Sequence, residues 1–164
     1  MKVLGIDPGV AITGYGVAEH GADGSLRWRA HGVIRTPAGD LLERRLERIY
    51  DGLCALMEEH RPDEAAVEEL FFGKNVTTGI AVAQARGVAL LAAAQRGLPV
   101  AHYKPSQVKI GVAGVGRAAK DQVRYMTKTL LGLPDLPKPD DAADGLALAI
   151  CRLLAPSSLA FSQS

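Results

Sequence analysis

Cysteine is scarce and unclustered. Cys54 and Cys151 are the only two, each inside an apolar helical pattern. No CxxC and no Cys/His cluster occurs, which argues against a zinc site. Both thiols read as small buried hydrophobes of a reducing compartment. A GxxxxGK[ST] segment is also missing, so no P-loop is available for ATP hydrolysis. GVAGVG at 111–116 is close to GxGxxG, but it lacks the strand–turn–helix setting and the later acidic residue of a dinucleotide site. No apolar run reaches membrane-spanning length, and MKVLGIDPG enters a strand at once without a signal-peptide pattern. The expectation is a cytoplasmic protein with no membrane partner. Net charge is +1, so the bulk balance does not announce a polyanionic ligand.

What is present describes an ordinary globular chain. With 164 residues, 48% hydrophobic and 23% charged, it can bury a core as one domain. We expect that domain over residues 1–156, with SSLAFSQS leaving a disordered tail at 157–164. KVLGID (2–7), TGYGVAE (13–19) and 26–36 read as three strands in an antiparallel meander, with a GADG turn at 21–24. In the third, Trp28, Ala30, Gly32 and Ile34 are expected on one face. Asp40 and Glu43 suggest a capping box opening a helix whose stripe is Leu42, Leu46, Ile49, Leu53 and Leu56. EAAVE (64–68) and 98–103 add two strands. Helices are expected over 76–96, 118–131 and 141–154, with the last stopped by Pro156. Gly79, Ala83 and Gly87 form a small-residue row for close helix packing, within the chain or against a second copy. The result is an α/β fold: a mixed five-stranded sheet flanked by helices.

Four carboxylates stand out on this scaffold. Asp7 ends the first strand, Glu68 ends the fourth, and Asp141 and Asp144 lie in the first turn of the last helix. Each alone has a plain structural explanation: a turn residue, a strand end, a favourable helix dipole. Together they suggest more. The expected strand order sets the ends of strands one and four side by side, and i, i+3 spacing puts Asp141 and Asp144 on one helical face. Gathered carboxylates repel unless neutralised, and Mg²⁺ takes oxygen ligands. Between Ala101 and Leu130, six basic residues stand against the single acid Asp121. They include Lys109, Arg117, Lys120 and Arg124. A basic arm beside an acidic cluster suits phosphate next to metal, although solvated helix charge explains it too.

LGIDPG with TGYG, VEELFFGKN, AQARG, QVK, GRAAKDQV and DDAADGLALAI, in that order, resemble the RuvC family of Holliday-junction resolvases over residues 1–154. The resemblance implies an RNase H-like fold, a homodimer, and paired nicking of four-way junction DNA in recombination and repair. It implies Mg²⁺ or Mn²⁺, two per active site, and 5′-phosphate and 3′-hydroxyl ends. It also implies work beside the RuvA and RuvB branch-migration proteins. Asp7, Glu68, Asp141 and Asp144 fall on the family's acidic positions, with Asp140 a neighbouring competitor for the third. Lys109 and Lys120 match lysines near the active site. Phe71, Phe72, Lys74 and Asn75 follow Glu68 as a DNA-contacting loop, in which one ring stacks on an unpaired base and the other packs. GVAGVG then reads as a flexible loop near the DNA backbone. A non-catalytic nucleic-acid-binding module and an RNA-directed nuclease of the same fold stay open as alternatives.

Overall fold

Short apolar runs closed by turn residues dictate the first half of the chain, and the computed structural model, which describes residues 1–70 and 75–155, follows them. β1 (Lys2–Asp7), β2 (Ile12–His20) and β3 (Leu26–Arg35) form the antiparallel meander. Gly24 turns the second hairpin in the left-handed region, at φ 79°. After α1 (Leu42–His60), β4 (Glu64–Glu68) pairs parallel with β1. α2 (Val76–Gln95) then leads to β5 (Val100–Tyr103), parallel to β4. α3 (Pro105–Ala113), α4 (Lys120–Leu131) and α5 (Asp140–Leu154) follow. The described strands make one mixed sheet in the order β3-β2-β1-β4-β5.

Strand alternation sorts the core into two layers. Leu4, Ile6, Ala65 and Val67 face α1 and α2, where Ile49, Leu53, Ala85 and Ala89 meet them. Val3 and Ala66 face the other way, against Leu146, Ala149 and Ile150 of α5 and the apolar sides of α3 and α4. Leu53 is fully buried, so Leu53→Ala should cost about 2–5 kcal/mol. The same period of two puts Glu64 and Glu68 on the α5 face with Ala66. At the far end of that face, Arg152 is buried and forks onto Glu64, with Nε 2.6 Å from Oε2 and Nη2 3.0 Å from Oε1.

Five details differ from the sequence expectations. A bulge opposite Val17 and Ala18 leaves Arg29 unpaired and reverses the parity of β3. Leu26 therefore packs with the α5 layer while Ala30 and Ile34 pack with α1, and Trp28 donates to His31 Nδ1 rather than sharing the Ala30 face. Asp40 does not cap α1; it pairs with Arg48 at 3.1 Å, and the helix begins past Leu41 without a side-chain cap. GVAGVG is not all loop: Gly111–Ala113 complete α3, and Gly114 caps it with φ 82°. A side chain at position 111 is disfavoured, because a Cβ there would meet Cys151 Sγ at 2.7 Å. α2 is also long and apolar enough to cross a membrane, with mean hydropathy 1.4, contrary to the expectation from apolar runs. It packs along α1 with Ala85, Ala89, Ala92 and Ala93 buried. Cys54 is only half-buried, whereas Cys151 is buried. Pro156 and the tail expected at 157–164 lie outside the described residues.

Candidate active site

Asp7 is held where β1 stops. The turn behind it is stapled by buried Thr13, whose hydroxyl donates to the Gly9 carbonyl at 2.7 Å. Asp7 faces Gly14 across the β1–β2 ladder, and its parallel neighbour beyond Val67 is Glu68. Glu68 is fixed by its backbone: its carbonyl accepts from Arg86 Nε at 3.0 Å, and the next amide, of Glu69, donates to the Tyr103 carbonyl at 2.8 Å.

α5 brings the other two carboxylates down because glycine removes the obstacles. A Cβ on Gly14 would collide with the Asp141 backbone. One on Gly16 would meet Leu146, and one on Gly145 would meet the Tyr15 backbone. The helix therefore rests almost directly on β1 and β2, and Asp141 and Asp144 reach the cleft that Asp7 and Glu68 line. That cleft has a volume of about 400 Å³, and its rim carries Lys109 and Lys120. A larger hollow of about 780 Å³ lies between Trp28 and His31 of β3 and the 133–138 loop, and it contains none of the four carboxylates.

The electrostatics are those of crowded acids. Burial, then Glu68, Asp144 and Asp141 in turn, push the Asp7 carboxyl up to about 8. Glu68 is raised by burial and then by Asp144, against the lowering pull of Asp7 and Lys120. Asp144 is raised as well: burial outweighs Lys120, whose Nζ is 3.0 Å from Oδ2. The hydrogen bond to Asp144 raises Lys120 in return. Among the described residues no three acids are already gathered to ligand distance. An all-oxygen donor set around a proton-hungry Asp7 fits a hard divalent cation, which would replace the proton as the neutralising charge.

The remaining sequence candidates divide. Lys109 lines the cleft and also a second hollow with Lys104 and Ser106. Arg117 is exposed between α3 and α4. Arg124 turns inward, 3.2 Å from Asp140 and 3.7 Å from Asp121, so it braces α4 to α5. Asp140 is held in that brace and does not line the cleft, which favours Asp141. Asn75 caps α2, its side-chain oxygen accepting from the Thr78 amide at 3.4 Å. Phe71, Phe72 and Lys74 lie outside the described residues. Sequence reasoning counted Lys104 in the basic segment but did not single it out; it sits between β5 and α3, immediately before Pro105. That reasoning missed Gly14, whose role depends on a helix far away in the chain.

The family model for crossover junction endodeoxyribonuclease RuvC matches residues 3–152. Crossover junction endodeoxyribonuclease RuvC of Moorella thermoacetica is 57% identical over 151 residues, covering 92% of this chain and 90% of that protein. Its counterpart in Chloroflexus aurantiacus is 56% identical, covering 92% of each. Among solved structures, T. thermophilus RuvC in complex with Holliday junction substrate superposes with a TM-score of 0.88 at 37% identity, over 94% of this chain and 93% of that one. The sheet and helices described above are the RNase H-like fold of these resolvases.

Proposed function

This chain belongs to the RuvC family of crossover junction endodeoxyribonucleases, and we propose that it resolves four-way DNA junctions by nicking two opposed strands. The observation that carries the reading is the convergence of Asp7, Glu68, Asp141 and Asp144 on one cleft with Lys109 and Lys120 at its rim. The four carboxylates would hold two Mg²⁺ or Mn²⁺ ions. When bound, such ions supply an activated water and charge stabilisation for the departing 3′ oxygen, giving 5′-phosphate and 3′-hydroxyl ends.

The chain's own groups do the rest. Glu68 and Asp7 are rigid because they end paired strands, and Asp141 and Asp144 are rigid because α5 rests on the sheet. Lys120 stays charged and is more than half exposed, so it meets a phosphate oxygen at the cleft mouth. Lys109 extends the contact toward Lys104 and Ser106, and Arg117 adds charge from the α3–α4 connection. Phe71 or Phe72, three and four residues after Glu68, would stack on a base that only an opened junction leaves unpaired. Lys74 and Asn75 follow them beside the same DNA.

A junction has approximate two-fold symmetry, so a C2 homodimer offers one cleft to each of two opposed strands. The exposed apolar side of α2 supports that assembly. The setting would be cytoplasmic, beside RuvA and RuvB.

The test offers labelled four-way junction, duplex and RNA–DNA hybrid to the protein, with and without Mn²⁺ or Mg²⁺. Junction should be cut with metal, and the other two substrates should be largely spared. Asp7→Asn should lose about 10³-fold in nicking, roughly 4 kcal/mol of transition-state stabilisation, yet still bind junction. Asp140→Asn should stay active. Preferred cutting of the hybrid would point instead to an RNA-directed nuclease.

A further inference from the structure

We propose that the buried Arg152–Glu64 pair is a positioning device. It fixes the register of α5 along β4 and thereby seats Asp141 and Asp144 over Glu68 and Asp7. The claim rests on the reading of those carboxylates as the metal site.

The geometry is that of two matched rulers laid antiparallel. Glu64 and Glu68 lie on one face of β4, four residues and so roughly 13 Å apart. Asp144 and Arg152 lie eight residues apart on α5, about 12 Å. Arg152 meets Glu64 at one end. Asp144 lines one cleft with Glu68 at the other. A fixed contact at either end therefore sets the spacing at both.

Between the two ends the contacts are close and apolar. Gly5, Gly145, Ala66 and Ala149 let helix and sheet approach, and Leu146 and Ile150 are buried around them, but such packing is non-directional, whereas the fork at the end is directional. A slip of a single residue along α5 is about 1.5 Å. Functional groups need placement within about 0.5 Å. A bidentate guanidinium–carboxylate fork does not survive such a slip, because both of its bonds would break.

Stability alone does not account for the pair. The Arg152 side chain is 5% exposed and that of Glu64 is 15% exposed, so both charges are largely desolvated. A buried ion pair is commonly no more stabilising than apolar residues of similar size, and its best-attested use is to specify register.

The test is the double variant Glu64→Leu/Arg152→Met, measured beside Arg152→Lys, which keeps the charge but not the fork. The apolar pair should melt within a few degrees of the parent and nick junction with an unchanged KM. Mn²⁺ affinity, measured by calorimetry on the DNA-free protein, should fall about 10-fold, and nicking turnover should fall with it. Arg152→Lys should show the same direction with a smaller loss. Either variant, folded and binding Mn²⁺ as tightly as the parent, overturns the proposal. Asp7→Asn is titrated alongside. If it binds Mn²⁺ and nicks normally, the metal reading falls and takes this inference with it. If it fails while the apolar pair behaves as the parent, only the register claim falls.

Discussion

Gly14 lies opposite Asp7 on the neighbouring strand and directly beneath Asp141, so one missing side chain governs the distance between two of the four acids. Gly14→Ala must push the first turn of α5 off the sheet, because the obstructing atoms are backbone and cannot rotate away. Overpacking of this kind costs about 1–3 kcal/mol. Nicking at saturating junction should drop by more than the fraction unfolded explains, with KM little changed; equal losses of folded protein and turnover would deny Gly14 a positioning role. Asp7 makes the opposite trade. Its folded-state pKa is raised to about 8, so between the ordinary carboxylate range and 8 the native state holds a proton that the unfolded chain has released. Without metal, stability should therefore fall as pH rises across that window. Asp7→Asn removes the repulsion and should stabilise the metal-free protein by about 0.5–2 kcal/mol at pH 8, while lowering nicking about 10³-fold. Thermal melts at pH 5 and pH 8 check this, and a gain that is larger at pH 5 would reverse the electrostatic account. Asp7 and Glu68 were legible in the sequence because each closes an apolar strand; Gly14 was not, because its constraint comes from α5, about 130 residues later.

α2 is the element whose surface is least explained by its own fold. Its buried alanines face α1 and the sheet, yet Val76, Ile80 and Leu91 are exposed. Eleven residues are close to three helical turns, so Ile80 and Leu91 share a stripe with Gly87 between them. A Cβ on Gly87 would meet nothing within 4 Å, so that stripe is open to a second helix. The small-residue row seen in the sequence splits here, since Gly79 is buried and Gly87 is exposed. Ile80→Glu/Leu91→Glu should leave the stability of the isolated chain within about 0.5 kcal/mol of the parent, as surface changes do. Sedimentation equilibrium should show the proposed dimer lost. Paired cuts in one junction should become single nicks, and a double variant that stays dimeric places the interface elsewhere. Most elements could be read from period and punctuation; the misreadings came where tertiary contact overrode local pattern. The β3 bulge shifts parity at Arg29, the pairing with Arg48 draws Asp40 away from its cap, and Gly111 packs against Cys151 within α3.

At the scale of the whole molecule, a net charge of +1 conceals a division of labour among the basic residues. Lys109 and Lys120 reach the rim of the acidic cleft, while Arg124, only 16% exposed in its side chain, is spent on Asp140 and Asp121. Composition cannot separate these roles, because all three belong to one basic segment; the direction each side chain takes does. Phosphate contacts release counterions, so each one lost should flatten the log–log salt dependence of junction binding by about 0.9 of a unit. Lys109→Ala/Lys120→Ala should therefore reduce the slope by roughly 2 and weaken binding across junction sequences alike. Arg124→Ala should leave the slope unchanged and instead lower stability by about 1 kcal/mol, the upper end for a partly exposed ion pair. That is a shift of roughly 2–4 °C in a chain of this size. The measurement is binding of labelled junction from 50 to 200 mM salt in an Asp7→Asn background, so that cutting does not intervene, with a melt of each variant. A flattened slope in Arg124→Ala at an unchanged melting temperature would return that arginine to the DNA interface, and an unchanged slope in the double lysine variant would remove both lysines from it.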